Sequence, residues 1–127
     1  MLTSALAIAF VPSIDLERSR DFYVDTLGLA QIEMTPFALV LRTGGDTMLR
    51  VTRVDELRVQ PFTVFGWAVD DIGATAAELA GLGIACVRYE GMDQDDAGVW
   101  RTPAGDAIAW FRDPDGNTLS LTQFVTA

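Results

Sequence analysis

The chain has 127 residues, half of them hydrophobic and spread over its whole length, and its eighteen acids outnumber nine arginines to give a net charge of −9. This is the profile of a single folded domain, and its acidic field argues against nucleic acid and anionic membranes as partners. There is no lysine, no histidine and only one cysteine, Cys86, which excludes Ser-His and Cys-His nucleophile pairs, imidazole-bound zinc, Schiff-base chemistry and an internal disulfide.

The first stretch, Leu2 to Ile14, is uncharged but too short to cross a bilayer, and no basic residue precedes it. It therefore reads neither as a membrane span nor as a signal peptide, and the single thiol fits a reducing cytoplasm. Alternation over residues 5–12 predicts a strand. Asp15, in SIDLERS, stands where a helix N-cap belongs, and apolar spacing predicts a helix over 16–26, stopped by Gly28. Three further strands complete this first module, residues 1–55.

The second module, residues 60–127, follows the same order. A strand over 62–69 leads to Asp71, the cap of a helix over 72–81 that Gly81 and Gly83 stop. DTLGLAQIEM (25–34) matches AGLGIACVRY (80–89), and LVLRTGGDTMLRV (39–51) matches AWFRDPDGNTLSL (109–121). In the second pair Arg42 aligns with Arg112, Leu49 with Leu119 and Val51 with Leu121. The sequence thus predicts an α+β protein of two tandem βαβββ modules. The offset between copies is 83 − 28 = 55 through the glycines but 112 − 42 = 70 through the arginines. The 15 additional residues fall within 89–105, an acidic, Gly/Pro-rich insertion expected to be a loop that the basic fold does not need.

The stretch Asp113-Pro114-Asp115-Gly116 has proline second and glycine fourth, as a type I turn prefers. A calcium loop would need glycine sixth and glutamate twelfth, where Thr118 and Phe124 stand; a loop counted from Asp93 fails likewise at Ala104. The stretch is a hairpin turn.

The two modules, the aspartate-capped helix with DFYVDTLGL and the closing DPDGNTLSL together resemble the vicinal oxygen chelate superfamily. That group includes glyoxalase I, extradiol dioxygenases and bleomycin-resistance proteins. The resemblance covers nearly the whole chain and implies a glyoxalase/bleomycin-resistance-type pair of half-barrels around a cavity. It does not imply one activity, since the superfamily hosts many. It also implies metal ligands at Ile8 and Val64 on the first strands and at Arg50 and Ser120 on the fourth. Two of these are aliphatic, one is a cation and one a neutral hydroxyl, so no ordinary divalent-metal set is present. No metal, cofactor or catalytic residue is therefore expected.

Alternation sorts the remaining candidates. Ile8, Phe10, Val64 and Gly66 are expected to face the cavity and Trp67 the core. Val40 and Arg42 are expected on the same face as their counterparts Trp110 and Arg112. Arg50 would offer a fixed cation to a carboxylate or phosphate, and Trp100, central in the insertion, would cover one mouth of the cavity. The ligand-binding set is then Ile8, Phe10, Val40, Arg50, Val64, Trp100, Trp110, Arg112 and Ser120. The expected function is metal-free binding of a cationic or aromatic, antibiotic-like small molecule by a homodimer, with Asp93, Asp95 and Asp96 adding negative charge. The alternatives are a lyase, isomerase or dioxygenase-like enzyme using Glu33, Glu90, Tyr23, Tyr89 or Cys86, and an interaction module with a vestigial cavity.

Overall fold

The structure, a computed structural model, describes residues 1–125. The chain divides into two compact units, Met1–Val59 and a second beginning at Gln60. Each unit is a four-stranded mixed sheet with one helical segment on one face, so the α+β tandem βαβββ architecture is present.

In the first unit the strands are β1 (Ile8–Ser13), β2 (Ala30–Met34), β3 (Ala38–Thr43) and β4 (Thr47–Arg53), in the spatial order β1-β4-β3-β2. β1 runs parallel to β4, whereas β3 is antiparallel to both β4 and β2. Between β1 and β2 lies α1 (Leu16–Arg20), whose N-cap Asp15 accepts a hydrogen bond from the Arg18 amide at 3.2 Å. The alternating residues Val11, Leu49 and Val51, with Leu39 and Leu41, form the core under this helix and are at most 1% exposed. Ser13 marks the same face: its hydroxyl accepts from Ser19 Oγ on α1 at 2.7 Å, and both serines are fully buried.

The helix expected over 16–26 changes character midway. From Asp21 to Thr26 it widens into a π-helical segment, with the Leu27 amide reaching back five residues to the Phe22 carbonyl at 2.9 Å. Gly28, at φ 81°, then ends it. The wider turn carries Tyr23, fully buried and edge-on to Phe22 at 5.1 Å, so this tyrosine is a core residue.

The second unit has β5 (Thr63–Ala68), α2 (Ile72–Gly81), β6 (Trp100–Arg101), β7 (Ala107–Arg112) and β8 (Thr118–Gln123), in the sheet order β5-β8-β7-β6. Asp71 caps α2 by accepting from the Ala74 amide at 3.1 Å. Gln123 on β8 fixes the helix from the sheet side, its Oε1 accepting from the Ile72 amide at 2.8 Å. Leu119, Leu121, Ala109 and Phe111 lie on this helix-facing side. Trp67, expected in the core, stacks on Phe111 with ring centroids 6.1 Å apart but stays half-buried.

The hairpin β7–β8 repeats β3–β4 closely. Leu49 and Leu119 are both fully buried, and Arg42 pairs with Met48 as Arg112 pairs with Thr118. The turn between β7 and β8 closes through the Gly116 amide on the Asp113 carbonyl at 3.0 Å. Asp113 is buried. Its carboxylate accepts from the Asp115 amide, the Asn117 amide and Asn117 Nδ2 at 3.0, 2.9 and 2.9 Å, which is turn chemistry rather than ion binding.

The two units differ at one sheet edge, and here the expectation for the insertion needs correcting. The segment aligned with β2, residues 84–89, forms no strand; among the described residues it is joined to the sheet by the Val87 amide bonding the Trp110 carbonyl at 2.7 Å. The fourth strand is instead β6, which comes from the insertion and pairs Trp100 with Ile108 and Arg101 with Ala107. The insertion is thus part of the sheet. Its link to 84–89 is Gln94, whose Oε1 accepts from the Tyr89 amide at 2.7 Å while Nε2 donates to the Val87 and Gly98 carbonyls at 2.9 and 2.8 Å. A side-chain amide with both ends used fixes loop and strand-like segment against each other.

Candidate functional site

Paired residues of a pleated sheet share a face, so the ladders place each candidate. In the first unit, Phe10 pairs with Arg50 and Arg50 with Val40, while Ile8 pairs with Met48 and Met48 with Arg42. Ile8, Phe10, Val40 and Arg50 therefore share the face of sheet one away from α1. Ile8 and Phe10 are 47% and 60% exposed, whereas Val40 between its neighbours is nearly closed off. Arg50 is half-buried and, among the described residues, has no ion-pair partner.

In the second unit, Ser120 pairs with Gly66 on one side and Trp110 on the other, and Arg112 pairs with Thr118. Trp100 pairs with Ile108, two residues from Trp110 on the same face. Trp100, Trp110, Arg112 and Ser120 thus share the face of sheet two away from α2. The nine candidates fall into two groups, one on each sheet, apart from Val64. The ladder between β5 and β8 slips between Thr63 and Phe65, leaving Val64 as the extra residue of a bulge. Simple alternation therefore does not set its direction, contrary to the sequence expectation.

The second group is an aromatic patch. Trp100 lies nearly parallel to Trp110, with centroids 6.4 Å apart and planes at 29°, and Tyr89 meets Trp110 edge-on at 5.4 Å. All three rings are half-buried, which leaves part of each in solvent. Beside them a Cβ placed on Gly66 would fall onto Ser120 Oγ and lie 2.8 Å from the Ser120 carbonyl oxygen. Glycine at 66 is what gives that hydroxyl its space. The Ser120 hydroxyl has no hydrogen-bond partner among the described residues.

The sequence did not single out Tyr89 as a stacking ring or Gln94 as the anchor of the insertion. The Tyr89 ring meets a residue 21 positions away (110 − 89), a contact that no local pattern marks. One acidic side chain of the insertion, that of Asp95, is also more occupied than expected. The Asp95 carboxylate accepts from the Ala97 and Val99 amides, both at 2.9 Å, and Arg88 donates to the Asp96 carbonyl at 2.7 Å.

Among the residues with acid–base or nucleophilic capacity, Tyr23 is in the core and Glu33 lies in the other unit from Cys86, Tyr89 and Glu90. Cys86 is half-buried against Gly98, where an added Cβ would come 2.6 Å from Cys86 Cβ. Burial raises its thiol pKa, Asp95 raises it further, and Arg88 partly opposes them. This is the opposite of an activated nucleophile.

The four positions at which the resemblance implies metal ligands do not suit a metal. Ile8 and Val64 have no donor atom, Arg50 is a cation, and Ser120 offers one neutral oxygen pressed against Gly66. Among the described residues no three His, Cys, Asp or Glu side chains lie close enough to hold an ion. No described helix is long and apolar enough to cross a membrane.

Residues 6–121 match the model of the Glyoxalase/Bleomycin resistance protein/Dioxygenase superfamily. Among solved structures, a member of that superfamily from Sphaerobacter thermophilus DSM 20745 superposes with a TM-score of 0.74 at 21% identity, over 98% of this chain and 100% of its own. A lactoylglutathione lyase from Agrobacterium tumefaciens gives a TM-score of 0.74 at 20% identity, covering 97% and 96%. A glyoxalase/bleomycin resistance protein/dioxygenase from Alicyclobacillus acidocaldarius gives 0.69 at 21%, covering 97% and 93%. At these identities the likeness is one of fold. No curated protein sequence matches the chain.

Proposed function

Because the chain belongs to the Glyoxalase/Bleomycin resistance protein/Dioxygenase superfamily yet has no metal-binding set at the four positions where the resemblance implies ligands, we propose that it binds a small aromatic molecule without a metal and without turning it over. The observation that carries this reading is the Tyr89–Trp110–Trp100 patch beside Ser120 on the open face of sheet two. Partly exposed rings held by a sheet give a planar ligand stacking area at low entropic cost, and the free Ser120 hydroxyl supplies one polar contact. Asp95 is engaged within its own loop, so ring stacking rather than charge is the main attraction, and antibiotic-like aromatics are the candidate class. Exposed Phe37, Val59 and Phe62 support self-association as a homodimer, which sedimentation equilibrium measures directly. The proposed compartment is the cytoplasm, as the single thiol suggests.

The test is titration with acridone and with the cation 9-aminoacridine, read by tryptophan quenching and by calorimetry. Trp110→Ala should weaken whichever probe binds by about tenfold, the scale of one lost aromatic contact. Trp100→Ala should weaken it too, and also lower stability because Trp100 belongs to β6. Equal affinity in wild type and Trp110→Ala would refute the patch as the site. Turnover of a glyoxalase or extradiol substrate with added metal would refute the non-catalytic reading.

A further inference from the structure

The face of sheet one away from α1 carries a feature that the aromatic patch does not use. Arg50 stands on β4, inside the sheet, between Phe10 on β1 and Val40 on β3. It is half-buried and has no ion-pair partner among the described residues, in a chain with twice as many acids as bases. Partial burial strips water from a guanidinium, and nothing in its own unit offsets the loss. Glu33 ends the same cross-strand row, two strand spacings from Arg50, and no ion pair joins the two among the described residues.

The next row along these strands is Ile8–Met48–Arg42. It lines a hollow of about 250 Å³ together with Leu6 and Ile32, with Asp46 also contributing. Arg42 too has no ion-pair partner among the described residues. Rows two residues apart on a strand are separated by about 6.6 Å. One small molecule can therefore reach from the hollow to the Arg50 guanidinium.

We propose that this face binds a small monocarboxylate with an apolar body, its carboxylate on Arg50 and its body in the hollow beside Ile8, Ile32 and Met48. The planar guanidinium presents paired N–H donors that match a carboxylate. The hollow lies just below the range of about 300–1,000 Å³ that holds drug-sized ligands, so the body is a single ring or a short chain. The net charge of −9 opposes any anion, but charges beyond about 8 Å are screened at physiological salt while Arg50 acts at contact. A dianionic phosphate meets that opposing field twice over, which selects the monoanion. The site uses the first unit only, so its failure and that of the aromatic patch are distinguishable.

The experiment is calorimetry on the full chain with three probes of one shape: 3-phenylpropanoate, 3-phenylpropanamide and 3-phenylpropylammonium. Wild type should bind the acid at least about tenfold more tightly than the amide, the scale of a charge-assisted pair, and bind the ammonium weakest. Arg50→Gln should remove the preference for the acid while leaving amide binding unchanged. Arg50→Lys, which keeps the charge without the fork, should retain part of it, and Trp110→Ala should leave it intact. Melting curves check that each variant is folded. Equal affinity for acid and amide in wild type, a preference for the ammonium, no binding of the acid at millimolar concentration, or a preference surviving Arg50→Gln would each overturn the proposal.

Discussion

Gly66→Ala tests the packing behind the second sheet's open face. Position 66 lies on the edge strand β5 with ordinary backbone geometry, so alanine meets no backbone strain there. On propensity alone the change should stabilise by about 0.5–1 kcal/mol, because the unfolded chain loses glycine's freedom. The neighbour reverses that sign. The new Cβ would overlap Ser120 Oγ and sit 2.8 Å from the Ser120 carbonyl oxygen, and the carbonyl is fixed by the ladder. Overpacking costs about 1–3 kcal/mol, and a clash with fixed backbone belongs in the upper half of that range, for a net loss of about 1–2.5 kcal/mol. At this chain length that lowers the melting temperature by about 4–10 °C. Ser120→Ala alone removes an unpartnered hydroxyl and should change stability by less than about 0.5 kcal/mol. The double variant removes the overlap with Oγ but not with the carbonyl, so it should recover about half the loss, a coupling of about 0.5–1 kcal/mol. Urea unfolding followed by tryptophan fluorescence measures all four corners of the cycle. A Gly66→Ala variant as stable as wild type, or strictly additive single effects, would show that Ser120 does not dictate the glycine.

Two further outcomes follow from the second unit. Asp113→Ala should cost about 2–3 kcal/mol in calorimetric unfolding, since it removes three hydrogen bonds to a carboxylate at a buried turn; adding EDTA to wild type should leave the melting temperature unchanged, and a drop would mean that an ion is bound after all. The raised Cys86 thiol pKa predicts slow alkylation by iodoacetamide at pH 8, faster in Asp95→Asn where one of the raising influences is gone. It also has a stability consequence with a definite sign. The folded thiol holds its proton more tightly than the unfolded one, so its stabilising contribution is full below the unfolded value and is lost as pH climbs through the folded value. Unfolding midpoints measured from pH 7 to 10 should show that loss in wild type and not in Cys86→Ala.

The features legible along the chain are those that neighbouring residues impose on one another. Asp15 and Asp71 announce their helices because a carboxylate three residues before an amide caps it, and Gly28 and Gly83 end them through positive φ. The Asp113–Gly116 turn and the alternating burial of β4 and β7 belong to the same class, and the repeat between the halves extended these local signs to a whole architecture. Tertiary structure decided wherever the outcome depended on the register between distant segments. Residues 84–89 align with β2 and still lose the sheet edge to Trp100–Arg101, because the insertion delivers a competing strand that Gln94 locks in place. The slip at Val64, the contact of Gly66 with Ser120 and the meeting of Tyr89 with Trp110 likewise arise only once strands are laid side by side. A side chain's type travels with the sequence, but its neighbours across a sheet are chosen by the ladder, and a one-residue change of register exchanges them.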